Sequence, residues 1–551
     1  MLILLVPVLL LAAFAVYLLF IVQHFNPLRH ISGPPVRSLF GNHLSAVLDP
    51  RRSPTVHKHF VEKYGRSVRI RGVGPWDDRL LTLDPVSLAY ILKNSTHYEK
   101  PWQSRRLISS LIGLGMLSAE GQIHKRQRRI ATPAFSVQNM RALIPLVYRK
   151  ADQLTHRWRD MTEEKESTEW TTVDVCHWMS RATFDIIGLA GFDYNFNSIQ
   201  DESNELFLAY KEMFDKVINN STFWGTLASV YFPTLFNLIP NQRSRIIERC
   251  RAVIRREAGN MITEKKRKIA EGQQSGKAYQ GKDILTQLLT SNASVDIPPE
   301  QRIGDEEMLH NINTFMFAGS DTTSLTVSWT LHLLAENPQM QERLRTELLS
   351  VSHSMLPLNF SELTEEETQS IYAEIAELPY LHNVVREALR LIPPLHSTLR
   401  VATQDDLIPI SSPLRCKDGS IDPAKTLRIS KGTFVHVSVE AFNLDQDVWG
   451  KDAWVFNPDR WDSLPEKVQE QPGLFANILS FSAGPRSCIG MRFALIEIKT
   501  FLFILLTNFV FQPGPTPIDK INVVLTRPYL AKQFSKGSQL PLRIKSVVRS
   551  G

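Results

Sequence analysis

From Leu2 to Val22 the chain reads LILLVPVLLLAAFAVYLLFIV, an apolar run of 21 residues without one charge. A run of that length coiled as a single helix spans a hydrocarbon layer of about 30 Å, so the reading is a transmembrane helix over residues 1–22. A cleaved signal peptide is the competing reading, because Ala13-Phe14-Ala15 resembles a cleavage site. No Lys or Arg precedes the run, and apolar residues continue beyond Ala15 to Val22, so a retained anchor is favoured. Arg29, Arg37, Arg51 and Arg52 follow the run, which puts the remainder of a single-pass chain on the cytoplasmic side. Triplets such as Asn94-Ser95-Thr96 and Asn220-Ser221-Thr222 then match a glycosylation pattern by chance.

What the anchor carries is globular. Of 551 residues, 43% are hydrophobic and 22% charged, which excludes a disordered or fibrous chain. Lys and Arg number 63 against 56 Asp and Glu. This mild positive excess suits a membrane surface or an acidic partner and requires no nucleic acid. The four cysteines, Cys176, Cys250, Cys416 and Cys488, form no CxxC or zinc spacing, which excludes a disulfide scaffold and suits a reducing compartment.

Gly33-Pro34-Pro35 reads as a stiff hinge inside a linker over 23–50, with one large domain over 51–551. Short strands are expected at Ser67–Val73 and Leu80–Leu83 around Gly74-Pro75, at Leu427–Val439 around Lys431-Gly432, and near Ile521–Leu525. Helical periodicity dominates Val86–Leu349, so the expected class is mainly α with small β-sheets. Lys265-Lys266-Arg267-Lys268 reads as a solvated helix face, and the aromatic stretch Ser221–Pro240 as core or as a surface dipping into lipid.

The segment with the most specific chemistry is Phe481-Ser482-Ala483-Gly484-Pro485-Arg486-Ser487-Cys488-Ile489-Gly490, leading into an apolar helix expected at Phe493–Leu506. Glycines let a backbone approach a flat ligand. A thiolate ahead of a helix N-terminus, beside Arg486, is electrostatically favoured. This segment resembles the haem-binding signature of the cytochrome P450 family, in which the cysteine is the proximal iron ligand. Three further segments match in order: Glu387-Ala388-Leu389-Arg390, Phe456-Asn457-Pro458-Asp459-Arg460-Trp461, and Ala318-Gly319-Ser320-Asp321-Thr322-Thr323 within a helix expected from Met308 to Glu336.

The resemblance implies the cytochrome P450 fold, haem b with Cys488 as iron ligand, and a cradle that includes Phe481, Gly484, Arg486 and Gly490. It implies a structural Glu387–Arg390–Arg460 cluster, a close approach of the cofactor at Gly319, and a proton relay through Asp321 and Thr322. Arg128 and Arg400 are the implied propionate partners. His124 stands where the family usually has Trp, and Phe442-Asn443-Leu444-Asp445 departs from the usual His-Arg-Asp.

The implied activity is a monooxygenase of the endoplasmic reticulum membrane, oxidising a lipophilic small molecule with O2 and electrons from an NADPH-dependent reductase, with or without cytochrome b5. Similarity to fungal microsomal members points to a terpenoid or other secondary metabolite. A sterol, fatty acid or xenobiotic is the alternative. An O2-independent haem-thiolate enzyme and a non-catalytic haem or lipid binder are the competing functions. No dinucleotide fingerprint is present, so electrons must arrive from another protein, with Lys125, Arg126 and Arg129 as candidate docking cations.

Overall fold

The computed structural model describes residues 2–36, 38, 41–163, 170–219, 242–274, 281–352 and 363–547. The aromatic stretch Ser221–Pro240 lies outside the described residues. Two compact units emerge. The first comprises Met1–Ser104, Leu395–Val455 and Leu464–Cys488, and the second Arg105–Pro394, Phe456–Ser463 and Ile489–Gly551.

The first unit is built on a five-stranded sheet in the order Ser67–Arg71, Asp78–Thr82, Phe434–Val437, Thr398–Ala402, Tyr98–Glu99. All pairs are antiparallel except Phe434–Val437 beside Asp78–Thr82. The strands expected around Lys431-Gly432 exist, yet they are not a hairpin. Thr426–Ile429 pairs with Asp406–Pro409, whereas Phe434–Val437 joins the main sheet. Leu80, Ile91, Ile408, Leu427, Ile429 and Val435 fill one core under these strands.

The amino-terminal run is helical from Leu2 to Phe25 but divided into an α segment of 15 residues, a wide π-type turn at Tyr17–Ile21 and a final turn Val22–Phe25. The expectation of one unbroken spanning helix is therefore corrected: among the described residues no helix is long and apolar enough to cross a membrane. A 15-residue α segment covers only about 22 Å. Val6, Leu9, Leu10, Phe14, Phe20 and Phe25 are exposed, Leu10 to 65% and Phe25 to 79%.

Gly33 is not a free hinge either. Leu28 and Ile31 are fully buried in the core of the first unit. Ser32 donates to Arg415 O at 2.8 Å and accepts from Arg69 N at 3.1 Å. A Cβ at Gly33 would lie 1.9 Å from Arg69 O, so only glycine lets the chain lie against that strand.

The second unit is mainly helical. The helix Asp305–Glu336 is buried along most of its length and packs on Val175–Phe192, Met491–Asn508 and Gln242–Gln274. Being enclosed by neighbours, it is apolar on several sides, so its pattern resembles a buried helix more than an amphipathic one. Asp305, Glu306 and Glu307 complement the positive end of its dipole. Phe509–Pro513, Pro541–Ser546 and Thr171–Asp174 form a three-stranded sheet that the sequence reading did not anticipate. Lys265, read as solvated, is buried and donates to Asp193 at 3.0 Å and Asp283 at 3.1 Å.

Candidate active site

The cysteine loop closes the first unit. Cys488 N donates to Phe481 O at 2.9 Å and Ser487 N to Gly484 O at 3.0 Å, which folds the intervening segment into a tight loop. Phe481 is buried and meets Phe475 edge-on at 5.6 Å. Gly484 has φ +67°, and a Cβ there would lie 2.4 Å from Leu92 O. Packing against the helix Pro85–Lys93 thus requires a glycine here. Ser482 adopts φ 60°, ψ −163°, a region nearly exclusive to glycine, at a cost of about 1–3 kcal/mol. That strain at the loop's entrance is held by Ser482 N donating to Leu479 O at 2.8 Å and by Leu474 N donating to Ser482 O at 3.2 Å.

Asn443, to which the sequence reading gave no role, secures the same segment. It is fully buried, accepts from Leu479 N at 3.0 Å and donates to Ser480 Oγ at 2.9 Å. Its position in the unusual Phe442-Asn443-Leu444-Asp445 was the available signal. The side-chain amide there supplies both a donor and an acceptor.

Arg400 belongs to the first unit as well, on the strand Thr398–Ala402. It is buried, and its Nη1 donates to Thr398 Oγ1 at 2.7 Å and Leu399 O at 2.8 Å. Arg486 is half-buried and Cys488 exposed. None of the four cysteines, all of them described, takes part in a disulfide.

In the second unit, Asp321 and Thr322 occupy adjacent positions of the helix Asp305–Glu336 and are therefore turned about 100° apart. Thr322 Oγ1 donates to Ala318 O at 2.8 Å, leaving its oxygen lone pairs to accept. Asp321 pairs instead with Arg527, on the strand Thr526–Leu530. It lines a cavity of about 60 Å³ with Ser320, Ser324, His177, Tyr210 and Arg527, room for about two waters. Arg527 was not foreseen, because 206 residues separate it from Asp321. Burial holds the His177 imidazole below its ordinary pKa, with Lys211 and Arg181 acting in the same direction.

At Gly319 a Cβ would meet Ile187 Cδ1 at 2.8 Å, so the helix Val175–Phe192 packs closely against it. Arg128 lies half-buried in the last turn of Gly121–Ala131, and His124 on that helix is buried. Of the candidate docking cations, Arg126 pairs with Glu307 at 2.5 Å, and Arg129 donates to Gln301 Oε1 at 2.9 Å. Lys125 is exposed.

The Glu387 cluster forms as expected. Glu387 and Arg390 are fully buried, and Arg460 is 8% exposed. Arg390 donates Nε at 2.9 Å and Nη2 at 2.8 Å, a bidentate grip. Arg460 Nε at 3.1 Å, Trp461 Nε1 at 3.0 Å and Asn457 N at 3.0 Å complete the set around one carboxylate.

The cysteine loop of the first unit offers a single exposed thiol, which fits a haem that takes one protein ligand. Among the described residues no group of three or more His, Cys, Asp or Glu could hold a metal ion by itself. A Cβ at Gly490 would meet only Phe135, at 3.8 Å, so its backbone is open to a flat group. Arg400 and Arg128 supply cations suited to carboxylates.

The family model described as Cytochrome P450 matches residues 31–532. Cytochrome P450 monooxygenase 205 of Postia placenta is 37% identical over 94% of this chain and 93% of its own length. Cytochrome P450 monooxygenase 128 of the same fungus is 35% identical over 98% of this chain and 96% of its own length. A protein named ganoderic acid synthetase, from Ganoderma lucidum, is 32% identical over 97% of both chains.

Proposed function

The chain belongs to the cytochrome P450 family of monooxygenases, and from that membership we propose that it inserts one oxygen atom from O2 into a lipophilic secondary metabolite of terpenoid type, with electrons supplied by an NADPH-dependent reductase. The observation that carries the reading is Cys488: an exposed thiol on a loop closed by its own N–H. Bound there, a haem would supply oxygen activation, with the thiolate donating electron density to iron.

The chain's own groups do the rest. Cys488 Sγ ligates. Phe481, Gly484, Arg486 and Gly490 shape the loop, and Arg128 and Arg400 hold the carboxylates of the cofactor. Thr322 Oγ1, whose hydrogen is engaged by Ala318 O, accepts a hydrogen bond from a water and holds it in place. Asp321 carries a proton from the cavity it shares with Arg527 and must leave that guanidinium to release it. The Ganoderma relative's name supports a biosynthetic role.

Exposed apolar side chains such as Leu9, Leu10, Phe14, Phe20 and Phe25 support association with the endoplasmic reticulum membrane, with the globule on the cytoplasmic side. The test is product formation in microsomes with the reductase. NADPH consumption should depend on reductase and substrate together, and Thr322→Ala should retain haem while diverting reducing equivalents to peroxide. Turnover without reductase, or tight coupling in Thr322→Ala, would overturn the respective assignments.

A further inference from the structure

The cavity that Asp321 lines is bordered by residues that face solvent. Lys211, on the helix Glu205–Asn219, borders it and is exposed, and His177, near the start of the helix Val175–Phe192, borders it half-buried. His177 Nε2 lies 3.0 Å from Glu202 Oε2, on a side chain that is 49% exposed. The same nitrogen accepts from Arg181 Nε at 3.2 Å. One imidazole thus touches both a carboxylate in water and the cavity of the Asp321–Arg527 pair.

The serines of this cavity are alike in their hydrogen bonding. Ser180 Oγ donates to His177 O at 2.9 Å, Ser320 Oγ to Met316 O at 2.8 Å, Ser324 Oγ to Asp321 O at 3.0 Å and Ser538 Oγ to Pro528 O at 2.9 Å. Each hydroxyl hydrogen is engaged by a backbone carbonyl, so each oxygen has only lone pairs to offer a water. Waters held there would turn their hydrogens to the serines and keep a lone pair for a donor. Few lining side chains can be that donor and also give the proton up near neutral pH. Arginine and lysine keep their protons throughout that range, and burial pushes the Cys176 thiol up to about 12 and the Tyr210 phenol above its ordinary value. Among the described lining residues the imidazole of His177 is the group that both gains and loses a proton there.

We propose that His177 is the residue through which protons enter this cavity from solvent on their way to Asp321, a role that rests on reading Asp321 as part of the relay. The imidazole takes up a solvent proton, the imidazolium gives one to a cavity water, and that water yields one of its own to Asp321. The imidazole is then neutral, the water is whole, and one proton has moved inward with no electron transferred. Burial, Lys211 and Arg181 disfavour the imidazolium, while Glu202 and Asp174 favour it. Arg157 Nη2, 3.9 Å from Glu202 Oε1, and the Asp321–Arg527 pair complete the charged groups around it. The net effect is a lowered pKa, so the imidazole rests neutral and passes on readily what it takes up. His177 acts through Asp321 and is a positioning residue of the relay.

Two measurements on the full-length, haem-loaded protein test this. The first needs neither electrons nor substrate: NMR titration of 15N-histidine-labelled protein, with the His177 signals assigned by their loss in His177→Gln. His177 should titrate at lower pH in Asp321→Asn than in the wild type, because the substitution removes a negative charge from the cavity and leaves Arg527 positive. An unchanged titration would overturn the inference. The second is NADPH oxidation with the reductase. The wild-type rate should fall as pH rises from about 6 to about 8 and the imidazolium is depleted. His177→Gln should be at least about tenfold slower at the lower pH and should lose that slope. His156→Gln, at an exposed histidine elsewhere, should keep both the rate and the slope. A His177→Gln variant with the wild-type rate and slope would overturn entry through His177 and leave the relay standing. Asp321→Asn running at the wild-type rate would instead defeat the relay reading itself.

Discussion

Two glutamates of the second unit are both completely buried, and they are treated in opposite ways. Glu387 receives hydrogen bonds from Arg390, Arg460, Trp461 and the backbone of Asn457. For Glu497, on the helix Met491–Asn508, no comparable set of donors forms among the described residues. Burial pushes its carboxyl far above the usual carboxylate range, with the hydroxyl of Thr323 opposing this. Glu387 is a charge that the fold has enclosed with countercharge. Glu497 is a carboxyl whose burial disfavours the charged form. Burial alone therefore predicts neither a residue's charge state nor its worth to stability; the partners decide.

The comparison breaks most visibly at Glu387. Glu387→Ala strands two buried guanidinium groups and should cost about 3–5 kcal/mol, seen as loss of soluble, haem-loaded protein. A stable, pigmented variant would show that the cluster is dispensable. A second and smaller effect belongs to His57, buried in the first unit with Nδ1 at 2.6 Å from Ser438 Oγ. Burial lowers its pKa to about 3, and neighbouring His396 adds to the shift. A depressed histidine contributes stability that is complete above the unfolded pKa of about 6.5 and is lost as pH falls below it, about 2 kcal/mol by pH 5. Denaturant melts from pH 7 to pH 5 should show that loss, and His57→Phe should flatten it.

Ser482→Gly relieves the positive φ and should raise stability by about 1 kcal/mol in the same melts; an unchanged or lower midpoint would mean the serine conformation is supported by contacts its replacement loses. Glu497→Gln is read from a pH slope. The unfolded carboxyl ionises near 4.5 while burial opposes ionisation in the fold, so wild-type stability should fall as pH rises above about 4.5 and that of the variant should not. A loss at pH 7 as large as that of Glu387→Ala would mean that Glu497 is charged and paired.

Motifs that act within a few residues of chain were legible in the sequence. The Glu387–Arg390 pair spans one helical turn, and the cysteine loop carries its glycines, proline and thiol within ten positions. The helix ending at Asn337-Pro338 and the strand pair around Gly74-Pro75 were marked by turn residues and periodicity. What escaped depends on distant partners. Arg527 reaches Asp321, and Ile187 fills the space beside Gly319, through packing that no local pattern encodes. Lys265 looked solvated because its run is basic, yet Asp193 and Asp283 enclose it. The strands Thr426–Ile429 and Phe434–Val437 were marked by the turn that joins them, but their partners, Asp406–Pro409 for one and the main sheet for the other, lie elsewhere in the chain. The glycine Gly484 was foreseen, but its reason was not: the backbone of Leu92 occupies the place of a Cβ.

The central claim, that Cys488 is a thiolate ligand to haem iron, is tested most directly by the carbon monoxide difference spectrum of the reduced, purified protein. The account predicts the thiolate-type band in the wild type and its disappearance in Cys488→Ser. A band typical of imidazole ligation, a thiolate band that survives in Cys488→Ser, or a protein that purifies without pigment would contradict it.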